Sequence, residues 1–389
     1  MPGVARAVPA RAVPARAEAL SARWLSDVLG GGVLDAVAVP IGHGMMADTF
    51  RVSLTPDHGQ DSEHGRDSGH GQDSEHGHGL PASVVVKVAA ADEATRRAAR
   101  TYRSYELEVG FYRELANGVT ARVPRCHWAG WDAATGDQAL VLEDLGAGRG
   151  GDQLRGCEHG QAVAAVRELA TLHADFWGGA GGYPWLRRYG ADDAAGFARF
   201  AGAVVPRFLE RFADRLSDEV VGVFELFPGL AHRYDRKGRD GPRTLCHGDL
   251  RADNLIFDRE AGVTRAAILD WQNVYQGNGL VDLGYLVGTS LRTDDRRAHE
   301  RELVEHYREG LGARGITVDP DECWAGYRRH SFAGICVVLR SFDAIRGDPG
   351  RERRLLVMAE RSARQVIDLA AGSLLDNVPA RPSVTVLRP

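Results

Sequence analysis

The chain has 389 residues, 44% hydrophobic and 26% charged, so it can bury a core and reads as a soluble globular protein of two modest domains or one two-lobed one. Its net charge of -5 sits in one tract, Pro56 to Leu80, where six acids oppose Arg66 alone; the remainder is neutral and offers no basic field for nucleic acid. No run of about 18 apolar residues predicts a membrane span, and five scattered cysteines without metal-ligand spacing indicate free thiols in a reducing cytoplasm.

Residues 1–17, an Arg-Ala-Val-Pro-Ala repeat lacking an apolar h-region, read as a disordered tail rather than a secretory signal. An amphipathic helix is predicted from Glu18 to Leu29, ended by Gly30-Gly31-Gly32. Leu34 to Ile41 and Thr49 to Leu54 read as strands flanking a glycine-bearing turn. In that turn Gly42 and Gly44 could bring backbone N–H groups over a phosphate. From 56 to 80 a His-Gly-Gln-Asp-Ser-Glu-His-Gly unit repeats, and the tract reads as a solvated loop inserted between two strands. Its five histidines, His58, His64, His70, His76 and His78, raise a competing reading as a metal-storage element.

In a third strand, Ser83 to Val88, Lys87 interrupts an apolar run. One helix is predicted from Glu93 to Ala116, with Tyr105, Glu108, Tyr112 and Leu115 on its apolar stripe. A carboxylate on a core-facing stripe requires a cation, and Lys87 is the nearest candidate, so the two suggest an ion pair. The strand Gln138 to Leu142 ends in Glu143 and Asp144 and leads into a linker. Helical patterns dominate afterwards: Gln161 to Trp177 with His173 on its apolar face, then 194–208, 219–230, 297–311, 321–345 and 351–375, with 377–389 as a tail.

Within this helical region lies Cys246-His247-Gly248-Asp249-Leu250-Arg251-Ala252-Asp253-Asn254, running into the strand Leu255 to Asp258. The segment Arg259 to Val263 reads as a turn, and Ile268-Leu269-Asp270 as the returning strand. Such an antiparallel hairpin brings Asn254 and Asp270 to one end, with Asp249 just outside. Two carboxylates and an amide converging in this way suit Mg2+ and a phosphate, and leave one acid to accept a proton. The expected architecture is α+β and two-lobed: residues 18–143 form a small β-rich lobe with a nucleotide-binding sheet, and 144–376 a larger helical lobe with the catalytic hairpin.

Lys87, Glu108, Val141-Leu-Glu-Asp-Leu145, His247-Gly-Asp-Leu-Arg-Ala-Asp-Asn254 and Leu269-Asp-Trp271 together resemble the aminoglycoside phosphotransferase/choline kinase superfamily of protein-kinase-like enzymes. Ile41 to Thr49, Tyr105 to Tyr112 and Asp270-Trp-Gln272 with Asp282-Leu283 are most similar to its ecdysteroid-kinase-like bacterial branch. The resemblance implies ATP and Mg2+, with Asp249 as catalytic base, Asn254 and Asp270 on the metal, and Lys87, paired with Glu108, steadying the α- and β-phosphates. It further implies that Leu142, Glu143 and Asp144 form the adenine hinge, that Asp282 buttresses the catalytic loop and that His247 supports it. The third glycine of the protein-kinase loop is absent, and the His-rich insertion is foreign to the family pattern.

The function so implied is ATP-dependent phosphorylation of a hydroxyl on a small molecule: a sugar, nucleoside, amino-alcohol or antibiotic. The alternative is a nucleotide-binding module without transfer activity. Tyr183 to Asp240, the presumed acceptor segment, holds ten Lys/Arg against nine Asp/Glu, a balance that disfavours a polycationic acceptor. A monomer or homodimer in the cytoplasm, without nucleic-acid or membrane partners, completes the expectation.

Overall fold

The computed structural model describes residues 13–14, 16–42, 46–57, 79–146, 148–189, 191–234, 241–345 and 347–376. Gly44, residues 58–78 with all five tract histidines, and 377–389 lie outside the described residues. Two compact units are present: Met1–Asn117 with Pro124–Gly146, and Gly118–Val123 with Ala147–Pro389.

In the first unit, Ser21 caps helix α1 (Ala22–Leu29) by accepting from the Trp24 N–H at 3.2 Å, so the helix begins four residues after the predicted Glu18. Ala17–Ala19 form a separate 3-10 turn, and Val13, expected in the tail, packs against this unit's core. The strands β1 (Val33–Pro40), β2 (Ala47–Pro56) and β3 (Ser83–Ala89) join β4 (Cys126–Asp132) and β5 (Asp137–Glu143) in an antiparallel sheet ordered β1-β2-β3-β5-β4. Sequence reading missed β4, although Trp128 and Trp131 precede a turn that closes on Gly136 at φ 72°. Val52, Val84, Val86, Val88, Ala139 and Val141 form the buried face.

The single helix predicted from Glu93 to Ala116 is broken. Helix α2 (Glu93–Tyr102) ends at Arg103, whose φ of 55° is left-handed, and α3 (Ser104–Gly110) continues through a π-helical turn at Phe111–Leu115. Arg103 is held there by two bonds to Glu106, at 2.6 and 2.8 Å. The predicted stripe survives the break: Tyr105, Glu108, Tyr112 and Leu115 are all buried.

The second unit contains the short strand β6 (Arg149–Gly150), α4 (His159–Asp175), β7 (Arg187–Arg188), α5 (Ala191–Phe212) and α6 (Asp218–Ala231). Next come β8 (Thr244–Cys246), β9 (Leu255–Glu260), β10 (Val263–Ile268) and β11 (Tyr275–Gly277). Helices α7 (Leu280–Ser290), α8 (Thr293–Gly312), α9 (Pro320–Arg329), α10 (Ala333–Ser341), α11 (Pro349–Asp368) and α12 (Gly372–Asp376) complete it. Two predicted helices are therefore split, one by 3-10 turns at His330–Phe332 and Phe342–Ile345, the other at Ala370 with φ 47°. An aromatic core including Phe208, Phe212, Phe224, Phe227 and Tyr285 packs these helices together; each fully buried Phe contributes about 1.5–3 kcal/mol.

The hairpin turn is tighter than predicted. Glu260 pairs with Val263, leaving only Ala261 and Gly262 in the loop, at φ 49° and 83°. Two consecutive positive φ values characterise a type I′ turn, whose twist matches that of the flanking strands.

Candidate active site

In the first unit, Lys87 lies mid-strand in β3, and its Nζ meets Glu108 Oε1 on α3 at 2.5 Å, with Glu108 only 1% exposed. The ammonium beside it offsets part of the cost of burying that carboxylate, and the pairing fixes the lysine head in one place. Gly42 has φ 71°, a conformation suited to glycine, at the end of β1. At the end of β5, Leu142 and Glu143 lie in the strand ladder, and Glu143 exchanges two bonds with Arg125: its N–H donates at 2.8 Å and its Oε2 accepts at 3.0 Å. Asp144 is held by Arg51 at 2.8 and 3.1 Å and by Ser83 Oγ at 2.7 Å, so its side chain ties down the strand end.

In the second unit, Ile268 pairs with Leu255 and the Leu269 N–H donates to Asn254 O at 3.0 Å, which brings Asn254 and Asp270 to one end of the hairpin. Asp249 is 7% exposed and joins them through Asn254 Nδ2, which donates to its carbonyl at 2.8 Å and to its Oδ2 at 3.2 Å. With its nitrogen so engaged, Asn254 is left with its amide oxygen as the group to offer a cation. Asp270 has φ 69°, a strained conformation that Asp tolerates better than most residues, and its Oδ2 accepts from Gln272 at 3.0 Å.

The loop is held from beneath. Asp282, on α7 and 1% exposed, accepts from the His247 N–H at 2.6 Å and the Gly248 N–H at 3.1 Å. Its carboxyl lies below the ordinary value: burial opposes this, but the donors from His173 and His247 outweigh it. His247 accepts the Asp249 N–H on Nδ1 at 3.2 Å, which places its own proton on Nε2, 2.8 Å from Leu269 O. One imidazole thereby ties the loop to the strand that delivers Asp270. Gly248, at φ 83°, cannot be replaced without strain, since a Cβ there would stand 2.4 Å from Asn273 O.

Three residues at this site were not anticipated in their present places. Tyr285 donates its hydroxyl proton to Asp249 Oδ1 at 2.8 Å, and Arg251 Nε stands 3.4 Å from the same oxygen. His173, expected to be a buried residue, is buried; its Nδ1 is 2.8 Å from Tyr307 OH and its Nε2 3.5 Å from Asp282. The available signal for Tyr285 was its position three residues after Asp282, on the same helix face. Burial raises the Asp249 carboxyl above its ordinary value, against the pull of Arg251 and of the Tyr285 hydrogen bond, with Asp270 adding to the rise.

A β-rich unit carrying a lysine–glutamate pair and a helical unit carrying an acid-tipped hairpin together define a protein-kinase-like protein. The chain belongs to the phosphotransferase enzyme family (APH), whose sequence pattern matches residues 75–328. An uncharacterized kinase-like protein of Caenorhabditis elegans is 25% identical over 159 residues, 40% of this chain and 42% of that protein, so less than half of that relative is spanned. A solved structure from Ralstonia eutropha, described as a candidate aminoglycoside phosphotransferase, aligns with a TM-score of 0.52 at 15% identity, covering 89% of this chain and 97% of that one. That likeness is one of fold. Choline kinase from Cryptosporidium parvum aligns with a TM-score of 0.49 at 11% identity, covering 88% of this chain and 94% of that one.

Proposed function

We propose that the protein transfers the γ-phosphate of ATP to a hydroxyl group of a small molecule, with Mg2+ held by Asn254 and Asp270. The observation that carries this reading is the convergence of Asp249, Asn254 and Asp270 at one end of the hairpin. An amide oxygen and a carboxylate form a hard-oxygen pair of the kind Mg2+ accepts, and when bound the ion neutralises phosphate charge. Lys87, steadied by Glu108, contacts the α- and β-phosphates, and the turn that begins at Gly42 covers them. Adenine is read by backbone groups of Leu142–Asp144 other than the Glu143 N–H, which Arg125 already engages. His247 and Asp282 support the loop.

In the transfer step the acceptor oxygen attacks the γ-phosphorus while Asp249 takes its proton. The new O–P bond forms as the bond from the γ-phosphorus to the β-bridging oxygen breaks, and ADP leaves with that electron pair. Asp249 is suited to the task because its loop is fixed at three points, by Asp282, His247 and Asn254; most of the catalytic gain then comes from positioning. The even charge of 183–240 favours a neutral or singly charged acceptor.

The test is an acceptor screen reading ADP release over sugars, nucleosides, amino-alcohols and aminoglycosides, followed by Asp249→Asn on the best acceptor. Transfer is expected to fall by at least about 100-fold, the size of a lost general base. Unchanged transfer would remove Asp249 from the role. Bound ATP without transfer to any acceptor would favour the nucleotide-binding module.

A further inference from the structure

On the second unit, away from the Asp249 loop, three histidines gather around one carboxylate. His299, Glu302 and His306 project from one face of α8 at successive turns, and His159, the first residue of α4, faces them. His159 Nε2 is 3.2 Å from Glu302 Oε2, and His299 Nδ1 is 3.4 Å from the same oxygen. His306 Nε2 approaches the other oxygen, Oε1, at 3.5 Å, and its Nδ1 stands 3.4 Å from Glu309. The rings of His159 and His299 are stacked with centroids 4.1 Å apart and planes 20° from parallel.

We propose that His159, His299 and Glu302 form a divalent transition-metal site, Zn2+ foremost, that staples α4 to α8. Nitrogens and oxygens bound to one tetrahedral Zn2+ at about 2.0–2.1 Å stand about 3.3 Å from each other, the separation found at both histidines. One candidate atom from each of the three residues lies within 4.8 Å of the others. His159 Nε2 is shielded from solvent yet makes no hydrogen bond, despite its closeness to Glu302: the carboxylate lies near the nitrogen but outside hydrogen-bond geometry. Stacked imidazoles repel when both are protonated, whereas two neutral rings and one carboxylate present the donor set that Zn2+ favours. His306, one turn further along α8, stands outside this set of three and approaches the other Glu302 oxygen, so it steadies the carboxylate rather than closing on the ion.

The staple has a structural consequence. Further along the same two helices, His173 of α4 meets Tyr307 of α8, and His173 reaches Asp282 beneath the catalytic loop. A metal joining the first residue of α4 to the middle of α8 would fix the pair that backs this contact.

The experiment uses the full chain, stripped of metal, with the five tract histidines replaced by Asn so that His58, His64, His70, His76 and His78 do not compete. ZnCl2 at a hundredfold excess over its dissociation constant is expected to raise the melting temperature by about 5 °C. His299→Ala or Glu302→Gln, each melting like its parent without metal, should abolish the rise. Absence of the rise in the parent, or its persistence in both variants, overturns the site.

Discussion

Replacing Asp282 by Ala measures how far the Asp249 loop depends on a single buried carboxylate. The change removes the acceptor of two backbone N–H groups, that of buried His247 at 2.6 Å and that of partly buried Gly248 at 3.1 Å. A donor left without a partner costs about 1–3 kcal/mol when buried, and the His173 ring 3.5 Å away also loses its carboxylate neighbour, so a loss of about 3–5 kcal/mol is expected. Asp282→Asn keeps one acceptor oxygen and should lose about half as much. Urea unfolding followed by circular dichroism gives the magnitude, and native-state hydrogen exchange gives its location, because the His247 and Gly248 amides should lose protection first. The loss should also depend on pH. A carboxyl whose folded value is lowered contributes fully above its unfolded value and ceases to contribute as pH falls through the folded one, so the deficit of Asp282→Ala should shrink in acid. A deficit below about 1 kcal/mol at neutral pH, with both amides still protected, would refute the buttress.

Three further outcomes are expected. As the proposed base, Asp249 must be ionised to act, so kcat/KM should fall as pH drops through its raised value; Arg251→Met removes the main opposing cation and should move this acid limb to higher pH, measured with saturating nucleotide. Ala261 occupies the first left-handed position of the type I′ turn, and Ala261→Asn, with a residue suited to that conformation, should stabilise the second unit by about 0.5–1 kcal/mol in urea unfolding. Deleting residues 58–78 should leave ATP binding and transfer intact, read by nucleotide melting shift and ADP release. A folded deletion variant that had lost both would instead support the reading of the tract as the functional element.

Sequence alone determined the features that rest on local periodicity and residue chemistry. Alternation in Phe50, Val52 and Leu54, the apolar run around Lys87, and the stripe of Tyr105, Glu108, Tyr112 and Leu115 each state which side chains face inward, so the lysine–glutamate contact could be anticipated before any distance was known. The short hairpin likewise put Asn254 and Asp270 at the same end, because antiparallel pairing sets Asn254 opposite Leu269, the residue before Asp270. Tertiary structure decided what depends on residues remote in the chain or on single backbone angles. The break at Arg103 follows from one left-handed residue inside an otherwise helical pattern, and periodicity averages over a single residue. Tyr285 reaching Asp249 across 36 positions, and His159 and His173 of α4 reaching Glu302 and Tyr307 of α8, depend on how helices pack. That packing is set by the summed fit of many apolar contacts, and no short stretch of sequence encodes it.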